Sequence, residues 1–363
     1  MVRSEHARAD EGGAIMSAVM DHRRATVRDV AALAGVSIKT VSRVVNDEPN
    51  VARDTRERVR RAIATLHYVP DASAASLARS GRPTRSIALL IASVDNPFCS
   101  AVFRGVEEVA RDRQVAVLAA STEGQPEIEE TLIRAFMSRS VDGFVIMPTN
   151  FDHRQVAALL GSRLPAVYID RAPAGIATDV IASNNRESAV LATRHLLQRG
   201  HRRIGLLADS EAIQTAVERR AGYETALRDA GVAVDDDLIE MNIGTVEDAI
   251  AAARRLFGRP QPPTAVFASR NSASIGAMAV LKELGLSHRV ALIGMDDIEM
   301  SEIVDPPLTV LSQDAVGMGH LAARRLLQRI DGADIPPETL IIPATLIERG
   351  SGEIACSSEV MPA

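Results

Sequence analysis

Two short stretches near the start of the chain carry apolar residues at the spacing of amphipathic helices. Val30, Ala31 and Ala34 recur at this spacing, and Gly35, which suits a helix end with positive φ, follows directly. Ser37 then offers an N-cap oxygen to a second helix. The apolar stripe of that helix is formed by Val41, Val44 and Val45. Two short helices joined by a glycine-containing turn predict a helix-turn-helix, whose second helix would enter a DNA major groove.

The segment after this motif predicts one regular helix and one conditional helix. Apolar positions from about Arg53 to Leu66 indicate a third amphipathic helix with arginines on its outer face. Residues 71–79 are few, serine-rich and preceded by Pro70. A segment of this kind is a poor helix in isolation.

Beyond a polar, proline-containing linker at 82–86, apolar strands alternate with helices. Strands are predicted at 87–93, 115–120, 143–147, 166–170, 180–182, 203–208, 264–268 and 290–294. The helices between them include 100–113, 127–139, 186–199 and 215–230. The fold class is therefore an all-α headpiece with a hinge helix, followed by an α/β core of two doubly wound parallel-sheet lobes. Ligands bind such sheets at the carboxyl ends of the strands, which here means between the lobes.

Charge divides the chain at the same place. The 363 residues have a net charge of −6, but residues 21–85 hold 13 lysines and arginines against 7 aspartates and glutamates. Residues 86–363 hold 26 against 37. A basic segment on an acidic body indicates that only the basic segment meets a polyanion.

Several classes of protein are disfavoured by what the sequence lacks. Cys99 and Cys356 are too few for a disulfide scaffold and too far apart for a zinc motif. The charged start has no apolar signal-peptide region, and no apolar run is long enough to cross a membrane. We therefore expect a cytoplasmic protein without membrane contact. No metal, cofactor or catalytic residue is predicted, since the HExxH, Walker A and GxSxG motifs are missing.

Five motifs follow one another between residues 26 and 81: DVAALAGVS, TVSRVVN, TRERV, YVP and ASLARSG. In this order they resemble the DNA-binding headpiece of the lactose-repressor (LacI/GalR) family of transcription regulators. Residues 71–79 match that family's hinge helix, which we expect to form only against DNA and a second copy of the chain. The later chain adds motifs of that family's core, namely DNPF (95–98), VDGFVI (141–146), YIDR (168–171), IGMDD (293–297), PPLT (306–309) and LIERGS (346–351). The resemblance covers residues 26–351 and implies a core similar to periplasmic sugar-binding proteins.

The resemblance implies two kinds of contact with double-stranded DNA. Ile38 and Lys39 would read base edges at the start of the second helix, and Arg43 would reach a base further along. The positions that match phosphate contacts are Ser37, Thr40, Asn46, Asn50 and Thr55. Leu77 matches a leucine that wedges between base pairs from the minor groove, although packing on the body is the alternative.

The resemblance also implies a small-molecule effector between the lobes. The matching contact positions are Asp95, Phe98, Arg219, Arg270 and Asp296. The chain departs from the family where relatives often carry rings, at Cys99, Gly244 and Ala315, and where Arg270 replaces a common asparagine. Two arginines and few rings predict a small anionic or highly polar effector rather than a stacked pyranose. Structural ion pairs at the loop ends are the alternative.

These observations predict a repressor with defined domains. They are a mobile tail at 1–25, a headpiece at 26–81, the linker, an effector-binding and dimerisation core at 87–351, and a mobile tail at 352–363. No leucine heptad follows the core, so a homodimer on a palindromic operator is expected, controlled by a sugar, sugar acid or related metabolite. A transport protein is disfavoured by the basic headpiece. An enzyme is disfavoured by the missing motifs, with His195 and His201 interpreted as helix caps.

Overall fold

The computed structural model describes residues 25–45, 48–49, 51–66, 68, 84–150, 152–161 and 164–356. The chain divides into two units after Arg82. Several predictions lie outside the described residues: the hinge helix at 71–79 with Leu77, the positions Asn46 and Asn50, nearly all of the first tail, and residues 357–363 of the second. Among the described residues, no helix combines the length and the apolar character that crossing a bilayer requires.

The headpiece contains the three predicted helices, which are α1 (Val27–Ala34), α2 (Ile38–Val45) and α3 (Arg53–Thr65). A capping box starts α1, since Thr26 N–H donates to Asp29 Oδ2 at 2.8 Å and Asp29 N–H donates to Thr26 Oγ1 at 3.4 Å. Gly35 ends α1 with φ of 63°, as the sequence predicts. The three helices share one apolar cluster, formed by Val30, Ala31, Ala34, Val41, Val44, Val59 and Ala62.

The second unit alternates strands and helices over most of its length. Its helices are α4 (Pro97–Asp112), α5 (Pro126–Ser138), α6 (Arg154–Leu160), α7 (Asn185–Gln198), α8 (Gln214–Asp229), α9 (Val246–Phe257), α10 (Asn271–Glu283) and α11 (Ala315–Ile330). Its strands are β1 (Ser86–Ile91), β2 (Ala116–Ser121), β3 (Phe144–Ile146), β4 (Ala166–Ile169), β5 (Asp179–Ser183), β6 (Ile204–Leu207), β7 (Ile239–Glu240), β8 (Ala265–Ala268), β9 (Ala291–Met295), β10 (Thr309–Ser312), β11 (Thr339–Ile342) and β12 (Thr345–Ile347). Strands β5, β10 and β12 each follow the preceding strand without an intervening α-helix.

Two six-stranded sheets define two lobes. The N-lobe sheet has the order β11-β5-β4-β3-β1-β2, and all of its pairs are parallel. The C-lobe sheet has the order β12-β10-β9-β8-β6-β7 and is parallel except for the β10–β12 pair. Ile87 and Leu89 of β1 belong to one apolar cluster and Ala88 and Leu90 to another, so helices cover both faces of the N-lobe sheet. The predicted pair of doubly wound lobes is confirmed.

The chain passes between the lobes three times, after β5, β10 and β11. Asn184 links the first passage to the third, because its Oδ1 accepts from Ala344 N–H at 2.9 Å and from Ser188 Oγ at 2.8 Å. These passages place α11 and β11 in the N-lobe although they follow most of the C-lobe in the sequence.

Both predicted boundaries of the core need correction. Thr84 N–H donates to Asp142 Oδ1 at 2.7 Å and Ser86 begins β1, so residues 84–86 belong to the core and not to a linker. At the other end, Gly352 is buried and Cys356 N–H donates to the Arg199 carbonyl oxygen at 3.0 Å. Residues 352–356 are therefore part of the C-lobe rather than the start of a tail.

Two histidines explain the position of the C-terminal segment. His201 Nε2 donates to the carbonyl oxygen of Ile354 at 2.8 Å, and His195 Nε2 lies 2.8 Å from Glu353 Oε1. Burial lowers the pKa of both imidazoles. The interpretation of these histidines as helix caps is wrong, because both bind the segment that follows Gly350.

Candidate nucleic-acid interface and interlobe cleft

Helix α2 has an inner, apolar side and an outer side that faces away from the apolar cluster of the headpiece. Val41 and Val44 are buried against α1 and α3, whereas Lys39 and Arg43 are exposed. Ile38, the first residue of α2, leaves 46% of its surface exposed, and Leu33 of α1 leaves 54% exposed. The outer side thus combines one apolar and two cationic side chains.

Hydroxyl groups surround the start of α2. Ser37 Oγ accepts from Thr40 N–H at 3.1 Å and lies 2.9 Å from Thr40 Oγ1, which confirms the predicted N-cap. Thr55 lies in the first turn of α3 and is partly exposed. Backbone N–H groups at helix starts and hydroxyls beside them are common phosphate ligands. Their placement is compatible with the predicted phosphate contacts.

Arg43 has an acidic neighbour in the turn that follows α2. Its Nε lies 3.7 Å from Glu48 Oε2, and each side chain is somewhat less than half exposed. The spacing of Arg43 and Glu48 in the sequence does not indicate this pair, because the pair depends on how the turn folds back.

The second candidate site lies between the lobes, where the carboxyl ends of strands from both sheets meet. Arg219 of α8 is 8% exposed, and its Nε donates to Asn185 Oδ1 at 2.9 Å. Its Nη1 donates to the Ser269 carbonyl oxygen, just after β8, at 2.8 Å. Burial lowers the pKa of the guanidinium, while the charges of Asp296 and Asp170 oppose this effect.

Asp296 follows β9 with φ of 63°, and its Oδ1 accepts from Gln313 Nε2 at 2.8 Å. Burial raises the pKa of its carboxyl group, and Arg219 and the Gln313 hydrogen bond counteract the rise. Gln313 belongs to the second passage between the lobes. Asp296 therefore connects a buried charge cluster to the second passage between the lobes.

Arg270 has a partner that the sequence analysis did not foresee. Its Nη1 forms an ion pair with Asp209 Oδ2, after β6, and also lies 3.3 Å from the Ile243 carbonyl oxygen. Its charge is thus already balanced within the C-lobe. Arg270 holds three strand-end loops together, and it presents no unpaired cation for an anionic ligand.

A polar contact crosses between the lobes at the start of α4. Asn271 Nδ2 donates to Asn96 Oδ1 at 2.8 Å, and the same oxygen accepts from Phe98 N–H at 3.0 Å. Phe98 is 7% exposed and packs in the N-lobe cluster, whereas Asp95 is exposed. On the other side of the cleft, Ala172 N–H donates to Gln214 Oε1 at 2.9 Å.

Two charged residues of the cleft were missed as candidates. Asp170 is 7% exposed with φ of 71°, and Arg171 Nε donates to its Oδ2 at 3.1 Å. Both lie at the carboxyl end of β4 and interact electrostatically with Arg219. The signal was present in the YIDR motif directly after a predicted strand.

Two other polar clusters lie outside the cleft, and in the second of them the buried His153 Nδ1 has no hydrogen-bond partner among the described residues. His195, Glu348 and Glu353 come close enough to bind a metal, but Arg199 forms ion pairs with both carboxylates. A surface cavity of about 450 Å³ lies between α5 and α6. At its base, the His153 imidazole, whose pKa burial lowers to about 4, lies 3.0 Å from buried Glu129. Neither cluster lies at the carboxyl ends of strands from both sheets.

A helix-turn-helix unit followed by a two-lobed core with a polar cleft defines the class of two-domain DNA-binding regulators. The family model for bacterial regulatory proteins of the lacI family matches residues 26–71. The model for a periplasmic binding protein-like domain matches residues 193–352.

Individual relatives cover nearly the whole chain. The ribose operon repressor of Haemophilus influenzae is 32% identical over 329 residues, which cover 90% of this chain and 98% of that protein. The transcriptional regulator CelR in complex with cellobiose is 32% identical with a TM-score of 0.68, covering 90% of this chain and 100% of that one. The lac repressor dimer bound to operator and the anti-inducer ONPF is 26% identical with a TM-score of 0.79, and the match covers 91% of this chain and 99% of that one. This chain belongs to the LacI family of bacterial regulatory proteins.

Proposed function

We propose that this protein is a sequence-specific transcriptional repressor that binds a palindromic operator as a homodimer under the control of a small polar effector. The observation that carries the proposal is the outer side of α2. An exposed isoleucine suits the methyl group of thymine, and a lysine and an arginine suit the acceptors of guanine. Such a protein works where the DNA is, so we place it in the cytoplasm. It acts by binding, without a cofactor, a metal or catalysis.

The residues of the proposed DNA interface fall into two groups. Ile38, Lys39 and Arg43 read bases. The phosphate contacts come from Ser37, Thr40, Asn46, Asn50 and Thr55. The proposal for Asn46, Asn50 and the minor-groove wedge Leu77 rests on their match to the family motifs.

Substituting the two groups separates base reading from positioning. Lys39→Ala is expected to change the preferred bases at one symmetric pair of operator positions and to weaken binding to the parent site by about 1–3 kcal/mol per half-site. Thr55→Ala is expected to weaken binding to all DNA sequences by a similar factor. Selection from a random DNA library, followed by gel shifts of the selected duplexes at two salt concentrations, measures both effects. Recovery of the parent motif by the Lys39→Ala protein would refute base reading by Lys39.

The proposed homodimer has support from apolar side chains on one lobe. Ile275 and Leu284, in and directly after α10, are 39% and 49% exposed. Met300 and Ile303, in the turns after β9, are 53% and 71% exposed. Contact with a second copy would remove this apolar surface from water. The lac repressor, to which this chain is similar in structure, binds its operator as a dimer.

Ile303→Asp is expected to convert the dimer into monomers at micromolar concentration, because it places a charge in an apolar interface. Analytical ultracentrifugation measures the change, and an unchanged far-ultraviolet circular dichroism spectrum shows that the monomer is folded. Its melting temperature is expected to fall, because a partner subunit no longer stabilises the native state. Val217, on α8, is 43% exposed and provides the matched control Val217→Asp, which should remain dimeric. A dimeric Ile303→Asp protein would contradict the proposed interface.

The proposed effector binds between the lobes, with Asp95, Phe98, Arg219, Arg270 and Asp296 as the predicted contacts. The cleft has three negative and three positive charges, which come from Asp170, Asp209 and Asp296 and from Arg171, Arg219 and Arg270. The amides of Asn96, Asn185, Asn271 and Gln313 lie among them. This near-neutral set of donors and acceptors suits hydroxyl groups better than a net anion. Relatives named for ribose and bound to cellobiose support a sugar or a similar polyhydroxyl metabolite.

A further inference from the structure

The turn between α2 and α3 holds an acidic residue against the proposed reading helix. Glu48 N–H donates to the Arg43 carbonyl oxygen at 2.9 Å, and Arg56 Nη2 donates to the Glu48 carbonyl oxygen at 2.9 Å. These two hydrogen bonds tie the backbone of Glu48 to the end of α2 and to α3. They place its carboxylate oxygen 3.7 Å from Arg43 Nε.

This ion pair contributes little to folding. The Arg43 and Glu48 side chains are 47% and 41% exposed, and their separation is too long for a hydrogen bond. Exposed pairs of this kind add little to stability. The headpiece is held instead by its apolar cluster, to which α2 contributes Val41 and Val44. Glu48 is therefore expected to act on DNA binding by Arg43 rather than on the stability of the headpiece.

We propose that Glu48 lowers operator affinity by competing with the operator base for the guanidinium of Arg43. This inference rests on the proposed function. Arg43 sits on the outer side of α2, where two N–H groups of a guanidinium can match the O6 and N7 acceptors of guanine. The edge of the guanidinium that carries Nε is the one beside Glu48 Oε2, so Arg43 has to leave Glu48 when it presents this edge to guanine, and the free-protein ion pair then opposes binding.

The competition has a sequence-dependent consequence. At a site with the matching base, Arg43 exchanges Glu48 for the base, and the ion pair is lost. At a site without that base, Arg43 keeps Glu48, and no exchange occurs. Removing the carboxylate therefore helps matching sites more than mismatched ones, whereas a general change of charge helps all DNA sequences alike.

Glu48→Gln in the full-length protein tests this inference. The probes are the duplex that the parent selects from a random library and a second duplex altered at the position whose preference Arg43→Ala removes. Glu48→Gln is expected to raise the affinity for the selected duplex roughly threefold per headpiece and to raise the affinity for the altered duplex less. In the Arg43→Ala background, the same substitution is expected to have no duplex-dependent effect.

Glu57→Gln is the matched control, because Glu57 is also an exposed acid of the headpiece in an ion pair, 3.5 Å from Arg53. It should change the affinity for both duplexes equally. The inference is overturned if Glu48→Gln behaves like Glu57→Gln, or if its gain persists without Arg43. Failure of the parent protein to select any consensus duplex would overturn the proposed function, and this inference with it.

Discussion

Replacing Arg219 with methionine is expected to destabilise the core by about 3–5 kcal/mol, because one member of a buried charge cluster is removed. The substitution keeps much of the side-chain volume but leaves the acceptors Asn185 Oδ1 and Ser269 O without their donor. It also leaves the carboxylate of Asp296 without the cation that counteracts its burial. Urea unfolding of the full chain measures the loss.

The neighbouring residue offers a matched control. Arg220 forms ion pairs with Glu211 and Glu224 at the surface of the same helix, so Arg220→Met should cost no more than about 1 kcal/mol. Equal losses in the two variants would contradict the buried cluster as the cause.

The Arg219→Met penalty should depend on pH with a defined sign. Burial raises the folded-state pKa of Asp296, so its contribution to stability is complete at low pH and falls as the pH rises through the folded-state value. Arg219 counteracts that rise, so its removal moves the pKa of Asp296 further up. The variant should therefore lose more stability at about pH 8 than at about pH 5. An equal loss at both pH values would show that Asp296 is not coupled to Arg219.

Arg219→Met is also expected to abolish the response to effector. Calorimetric titration of the parent with a panel of neutral sugars and sugar acids identifies a binding molecule, and Arg220→Met should bind it equally well. Arg219→Met should bind it at least a hundredfold more weakly, since a buried, charged hydrogen-bond donor is lost. Without effector, the affinity of Arg219→Met for the selected duplex should remain within severalfold of that of the parent protein.

Gly105→Ala is expected to destabilise the N-lobe by about 2–3 kcal/mol, although alanine favours an isolated helix over glycine by about 1 kcal/mol. Helices α4 and α11 cross closely at Gly105 and Gly319. A Cβ at Gly105 would lie 2.2 Å from the Val316 carbonyl oxygen, and one at Gly319 would lie 2.3 Å from that of Val102. Backbone atoms cannot rotate away as side chains do, so the helices have to separate.

Gly244→Ala is the control for this prediction, because its Cβ would meet nothing closer than Asp248 Oδ2 at 3.5 Å. Its free energy of unfolding should stay within about 0.5 kcal/mol of that of the parent protein. Thermal unfolding followed by circular dichroism compares the two variants. A melting temperature that rises in Gly105→Ala would mean that helix propensity, and not close packing, decides stability at this position.

The headpiece was predictable residue by residue because its signals are local. The capping residue, the glycine and the apolar stripe of α1 and α2 all lie within about twenty residues of one another. The strands β1, β3 and β8 were predictable for a similar reason, since each is a short apolar run buried on both faces.

Features that depend on distant partners were predicted poorly. Residues 352–356 carry no periodicity, and they are held by His195 and His201 from the far side of the C-lobe. Arg270 has the residue type of a ligand contact, but the strand order β9-β8-β6 brings Asp209 beside it. Asp170 and Arg171 stood in a recognisable motif, yet their proximity to Arg219 follows from the passages of the chain between the lobes.

By itself, the sequence determined the helix-turn-helix, the family and the alternation of strands and helices, because hydrophobic period and capping act over a few residues. Only the tertiary structure decided which charges of the cleft are paired, where the core begins and ends, and that Glu48 faces Arg43. Those features depend on contacts between residues brought together by folding, and the distance between two charges in space cannot be read from their spacing in the chain.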